Sequence, residues 1–131
     1  MKKLIKAGTL LGTGEGANYV GLENLLHISG NEVQLFRVMS VAEWESLSVN
    51  GHKFSNYDFA MEKKWFATSH NHARMWGELF YPDGIYRIIE ITLADIALDY
   101  MFHVKLLDNI GPAYAADIEM LNKVVRRLRL V

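Results

Sequence analysis

The sequence predicts an α+β domain built on a small, split, mainly antiparallel sheet with two or three helices. Half of the 131 residues are hydrophobic, which is enough for one core in a chain of single-domain length. Apolar residues alternate in several segments, as in strands, and recur every three or four residues in others, as in helices. The predicted order is strand, helix, strand, helix and then mainly strands, so the helices can cover one face of the sheet.

The first predicted unit is a strand followed by a helix. Residues 33–39 (VQLFRVM) are rich in apolar and β-branched side chains, which favour a strand. Ser40 and Glu43 form an S-x-x-E capping box, which predicts that a helix starts there. Its apolar residues lie three apart, and Gly51 is a suitable residue to end it. Residues 52–62 have no clear periodicity and are predicted to form a loop.

The second predicted unit repeats this order. Residues 64–68 (KWFAT) favour a short strand, and Ser69 can cap the next helix. The apolar face of that helix has helical spacing and consists of Ala73, Trp76, Gly77 and Phe80. A Pro-Asp-Gly turn at 82–84 then leads into a strand predicted over 85–93.

The C-terminal part is predicted as strand, helix and a last segment of either type. Residues 98–106 alternate and favour a strand, whereas 113–123 favour a helix by composition. Residues 124–131 (VVRRLRLV) fit a continued helix or an edge strand, and the strand is favoured. Their three arginines are typical of a solvent-exposed end of an element.

Residues 1–30 are predicted to be a flexible leader that is separate from the domain over 31–131. Five of the ten glycines lie between positions 8 and 21, and residues 22–28 suggest a short helix. The run GTGEG lacks the Gly-Lys-Ser/Thr ending of a phosphate-binding loop. The apolar part of the N-terminus is too short for a signal peptide or a membrane span, so neither is expected.

Composition excludes some chemistry and leaves other chemistry open. The chain has no cysteine, which excludes disulfides, thiolate metal sites and cysteine nucleophiles. The net charge of -1 gives no global basic excess, so a long nucleic-acid backbone is not the default partner, although a local basic patch stays open.

Two short segments carry the candidate binding residues. Arg37 lies inside an apolar strand, where a guanidinium needs partners because an unpaired buried charge is costly. Thr68 and Ser69 place two hydroxyls at the end of a strand and the start of a helix. A helix N-terminus offers free amides and the positive end of the helix dipole, which suit a pyrophosphate.

The pairing of LFRV on a first strand with WFATS on a second resembles the arginine-serine-glutamate branch of the ADP-ribosyltransferase superfamily. The stretch from Leu35 onward is also similar to C-terminal toxin modules of bacterial polymorphic toxins of the contact-dependent and Rhs type. The segments that carry this second resemblance are Arg37-Val38 with Ser40 and Glu43, Lys64 to Ala67, Ala73 to Gly77, Leu107 to Tyr114, and Glu119 with Leu121-Asn122.

The resemblance implies that residues 31–131 form a catalytic domain with NAD as substrate and no metal. Arg37 would hold the pyrophosphate or the nicotinamide ribose through paired hydrogen bonds. Thr68 and Ser69 would brace the site, and Tyr57 or Phe59 would stack on nicotinamide. Ala67 stands where the family has a serine, so one bracing hydroxyl is missing.

The resemblance also implies a catalytic carboxylate that stabilises the oxocarbenium-like transition state as nicotinamide leaves. Glu119 is favoured because it follows the Gly-Pro turn late in the chain, and Glu90 on the strand at 85–93 is the second candidate. The implied partners are a macromolecular target, a protein in the first place with nucleic acid still open, and a cognate immunity protein. The domain would act in the cytoplasm of a target cell after delivery as part of a larger secreted protein.

Two other functions stay open. A metal-independent ribonuclease would use histidines as acid and base and a lysine to stabilise the phosphorane. The candidates for these roles are His52, His70, His72 and His103, with Lys53 or Lys64. A non-enzymatic binding module would instead use Trp44, Trp65 and Trp76 as a partner surface, although core packing explains these tryptophans more simply.

Overall fold

The computed structural model describes residues 30–55 and 63–131, which fold into six strands, three α-helices and one 3₁₀ helix. The elements are β1 (Glu32–Met39), α1 (Val41–Val49), β2 (Lys63–Ala67), α2 (His70–Phe80), β3 (Arg87–Ala94), a 3₁₀ helix (Asp95–Tyr100), β4 (Phe102–Leu107), β5 (Gly111–Asp117), α3 (Ile118–Val124) and β6 (Arg127–Leu130). The predicted α+β class with an antiparallel sheet and three helices is therefore confirmed.

The strands form one open sheet in the order β4-β5-β2-β1-β3-β6, and every neighbouring pair is antiparallel. The β1–β3 ladder runs over the whole of β1, from Glu32 to Met39. In contrast, β1 and β2 are paired at one position only, Phe36 with Ala67. The sheet thus consists of two three-stranded halves, β4-β5-β2 and β1-β3-β6, that meet at a narrow β1–β2 junction.

The two faces of the sheet carry separate apolar clusters. The larger one packs α1, α3 and the 3₁₀ helix against one face and contains Leu35, Met39, Leu47, Phe66, Ile89, Ile91, Leu93, Met120, Leu121 and Val124, among others. The smaller one packs α2 against the other face and contains Ala67, Ala73, Trp76, Ile88 and Ala113. Residues alternate between the clusters along β1 and β3, as the two-residue period of a strand requires.

The C-terminal part differs from the prediction in two places. Residues 111–117 form β5, and only Ile118–Val124 is helical, so the predicted helix over 113–123 is wrong in its first half. Alanine favours helices in isolation, but Ala113, Ala115 and Ala116 are buried between β2 and β4, and burial decides. The predicted strand over 98–106 begins only at Phe102, because Asp95–Tyr100 forms the 3₁₀ helix.

Several of the predictions concern residues that the structure does not describe. The Gly-rich leader, its short helix over 22–28 and most of the loop at 52–62 lie outside the described residues. Within the described ranges, no helix is long and apolar enough to cross a membrane.

Candidate functional site

A cavity of about 470 Å³ lies where β1 and β2 part. Its sheet side is formed by Phe36 to Val38 and by Trp65 to Ala67, and α2 contributes Trp76 and Phe80. Tyr81 and the β4–β5 turn complete it. The walls are thus mainly aromatic and apolar, as in typical small-molecule sites, and we call this cavity the cleft.

Arg37 bridges the two strands where their backbone pairing stops. Its Nη1 donates to the Trp65 carbonyl oxygen at 3.2 Å. Its other side is held by Glu43, whose carboxylate accepts from Nε at 3.0 Å and from Nη2 at 3.1 Å. The side chains of Arg37 and Glu43 are only 10% and 13% exposed, so this paired contact fixes the guanidinium in place.

The local sequence explains why Glu43 is available. The hydroxyl of Ser40 caps α1 by accepting from the Glu43 backbone amide at 3.0 Å, as predicted. In a capping box the glutamate side chain would reach back to the cap, but here it binds Arg37 instead. The S-x-x-E pattern located the start of the helix correctly and did not reveal the ion pair.

Lys64 completes a buried charge cluster at the junction. Its Nζ lies 3.7 Å from the Glu43 carboxylate, and its side chain is 1% exposed. Arg37 and Lys64 thus share one carboxylate.

The two hydroxyls that were predicted to brace the site, those of Thr68 and Ser69, lie in a different environment from Arg37. The Ser69 hydroxyl accepts from the His72 amide at 3.1 Å and so caps α2, whereas Thr68 is exposed. Because Ala67 pairs with Phe36, the chain beyond Ala67 continues alongside the N-terminal half of β1, away from the Arg37 end. Arg37 and the hydroxyls thus flank the Phe36–Ala67 pair from opposite sides.

Asp108 is the carboxylate that lines the cleft together with Arg37. It accepts a hydrogen bond from Trp76 Nε1 at 2.8 Å. It lies in the tight β4–β5 turn, where Asp108 and Asn109 have φ of 54° and 62°, as in the turns that suit a two-residue hairpin. The sequence signal was the Asp-Asn turn inside the Leu107–Tyr114 segment, but nothing in the sequence indicated that this turn faces α2.

The two predicted catalytic glutamates lie elsewhere. Glu119 is exposed in the first turn of α3 and is not among the residues that line the cleft. Glu90 is the cross-strand partner of Phe36, but its carboxylate accepts from Arg129 Nε at 2.7 Å and lines a second cavity. Tyr57 and Phe59, the predicted nicotinamide contacts, lie outside the described residues.

No family model, curated protein or solved structure matches this chain.

The other candidate residues are spread over the molecule. His52 packs against Trp44 with the rings tilted, His70 packs edge-on against Phe36, and His103 stacks on Tyr114. The remaining histidine, His72, lies against Gly111 at the start of β5. Within residues 30–55 and 63–131, no group of three or more His, Asp or Glu residues has the geometry to hold a metal ion.

Proposed function

We propose that the cleft binds NAD and that the domain transfers ADP-ribose from NAD to a macromolecular target. The observation that carries this proposal is that Arg37, fixed by the Glu43 carboxylate, and Asp108 are both among the residues that line one mainly aromatic cavity. The resemblance implies an arginine on the first strand, and Arg37 occupies that position, whereas Thr68 and Ser69 follow β2 directly and are not among the residues that line the cleft.

The contacts of Arg37 suit recognition of an anionic dinucleotide. A guanidinium has five N–H donors, and three of them donate to Glu43 and Trp65. Two donors therefore remain for phosphate or ribose oxygens, as far as contacts among the described residues go. Phe36, Trp65 and Trp76 supply the flat apolar surfaces on which a nicotinamide ring can pack.

In the proposed reaction, the bond between ribose C1′ and the nicotinamide nitrogen breaks, and its electron pair leaves with nicotinamide. The positive charge that develops on the ribose needs a nearby carboxylate. We assign this role to Asp108, because it shares the cleft with Arg37, in preference to Glu119 or Glu90. An acceptor O–H or N–H then attacks C1′, and its proton passes to the Asp108 carboxylate or to water.

The biological setting is proposed from the resemblance alone. The domain would be a toxin module that reaches the cytoplasm of a target cell as part of a larger secreted protein. NAD would be consumed as substrate without a metal ion. The expected protein partner is a dedicated immunity protein that inhibits the domain.

The test is transfer of label from radiolabelled NAD to a cell lysate. We expect Arg37→Lys to abolish transfer, since lysine keeps the charge but cannot make the paired contacts. Asp108→Asn should also abolish transfer, while its amide oxygen can still accept from Trp76. Arg74→Gln, on the exposed side of α2 where Arg74 pairs with Glu78, is the matched control and should be fully active.

The same variants distinguish the carboxylates and the competing functions. Full activity of Asp108→Asn with loss in Glu119→Gln or Glu90→Gln would return the catalytic role to the residue implied by the resemblance. Cleavage of total RNA without NAD, lost on replacement of a histidine, would show a ribonuclease. A chain inactive in both assays that still captures a partner would be a binding module.

A further inference from the structure

A second cavity, of about 780 Å³, lies beside β3 and β6 and is lined by basic residues. Its cations are Lys53, Arg126, Arg127 and Arg129. We call these four residues the basic surface. The whole chain carries a net charge of -1, so this concentration of positive charge is local.

The arginines of this surface are held in fixed directions by two carboxylates. Glu32 accepts from Arg127 Nη2 at 2.7 Å and from Arg126 Nη1 at 3.0 Å. Glu90 accepts from Arg129 Nε at 2.7 Å. Anchored guanidiniums lose little conformational freedom when they bind an anion.

The exposed arginines face the same way. Arg127 and Arg129 are two residues apart on β6, so their side chains lie on one face of the sheet, roughly 7 Å apart along the strand. Their side chains are 64% and 70% exposed. With Glu90 bound at Nε, the outer Nη groups of Arg129 can donate to a further anion. A row of regularly spaced guanidiniums matches a chain of regularly spaced phosphates.

The composition of the cavity favours nucleic acid over an acidic protein. Protein–protein interfaces usually have an apolar centre with a polar rim. Here Val125 and Leu128 are the aliphatic side chains among the lining residues, and the rest are charged, polar or glycine. Arginines with a polar surround are typical of phosphate-backbone recognition.

We infer that the basic surface docks the phosphate backbone of a nucleic acid strand. Glu90 lines this surface and is the cross-strand partner of Phe36, which lines the cleft, so a docked strand passes beside the cleft. Nucleic acid is then the acceptor of the ADP-ribose. This last step rests on the proposed function, whereas the docking itself does not.

The docking is tested by fluorescence anisotropy of the full chain with a labelled single-stranded RNA and a DNA of the same sequence. With about three phosphates contacted, log affinity should fall with log salt at a slope of roughly -2. Replacing both Arg127 and Arg129 with glutamine should weaken binding by at least about tenfold at low salt. Arg74→Gln removes one exposed arginine elsewhere and should bind as the wild type does.

Three outcomes would overturn the docking: no oligonucleotide binding, unchanged affinity in the double variant, or equally tight and equally variant-sensitive binding of polyglutamate. The last outcome would identify an acidic protein surface as the partner.

The acceptor step is tested by supplying labelled NAD with total nucleic acid or with lysate protein. Label on nucleic acid that is lost in the double variant supports it, and label on protein alone overturns it. Failure of the proposed function is distinct, because oligonucleotide binding would then persist in the complete absence of ADP-ribose transfer. Arg37→Lys should likewise lose transfer and keep oligonucleotide binding.

Discussion

Glu43 is expected to stabilise the protein more than Arg37 does, although the two form one ion pair. Glu43 also contacts Lys64, so its carboxylate is shared by two buried cations. Glu43→Gln leaves both cations at the junction without that charge. Arg37→Gln keeps the contact between Glu43 and Lys64. The asymmetry is expected because Glu43 contacts two buried cations, whereas Arg37 contacts one carboxylate.

The structure gives the magnitude of each change. At 3.7 Å and an effective dielectric constant of 20, the Glu43–Lys64 attraction is about 4 kcal/mol. Each hydrogen bond from Arg37 to the carboxylate adds about 1.5 to 3 kcal/mol, and desolvation of the charges offsets much of the total. We therefore expect Glu43→Gln to lower the free energy of unfolding by about 3 kcal/mol. Arg37→Gln should lower it by about 1 to 2 kcal/mol.

Urea unfolding followed by tryptophan fluorescence measures this difference. A loss of 3 kcal/mol moves the midpoint by about 1 to 3 M for typical slopes. Glu45→Gln is the matched control, because Glu45 is exposed on the same helix, and it should change the midpoint little. Equal losses for Glu43→Gln and Arg37→Gln, or a larger loss for the latter, would refute the shared-carboxylate reasoning.

Two further predictions concern packing and pH. A methyl group on Gly111 would lie 2.6 Å from His72 Nδ1. Gly111→Ala should therefore lower the free energy of unfolding by about 1 to 3 kcal/mol. In a double-mutant cycle, adding His72→Ala should restore most of that loss. An equal loss in both backgrounds would show that the contact is not the cause. Hydrogen bonds from Arg127 first and then Arg126 hold the pKa of Glu32 below its ordinary value of 4.5. That stabilisation is complete above the unfolded-state pKa of Glu32 and is lost as the pH falls through its folded-state pKa. The melting temperatures of the wild type and of Glu32→Gln should therefore converge in acid. A difference in melting temperature that stays constant with pH would contradict this.

Most of the fold could be predicted where side chains alternate or recur within one element. The caps at Ser40 and Ser69 located both long helices, and the apolar runs located β1 and β3, since these signals are local in sequence. The prediction failed at residues 113–117, where alanine composition favours a helix. The alanines of this segment are buried between two strands, and no local pattern shows which strands will be their neighbours.

The candidate site could be predicted only in part, because local sequence patterns do not show which elements pack together. Arg37 was noticeable because a guanidinium inside an apolar strand needs a partner, but the identity of that partner depends on how α1 packs over β1. Asp108 reaches the cleft through Trp76, which is 32 residues earlier in the chain. Its position in the cleft depends on how the β4–β5 turn packs against α2, which no local sequence pattern shows.

The cleft lies where the sheet is incompletely paired, and two of the residues that connect the strands there, Arg37 and Trp65, also line it. A continuous ladder past the Phe36–Ala67 pair would join β1 and β2 along their length and leave no gap. Instead, Arg37 connects β2, through the Trp65 carbonyl, to α1, through Glu43. Side-chain hydrogen bonds thus replace part of the missing ladder. Such a departure from regular pairing, stabilised by a buried charge cluster, is where a functional site is expected. Under the proposed function, Arg37 would couple stability to NAD affinity, whereas Asp108→Asn in the β4–β5 turn should lower transfer with little effect on stability.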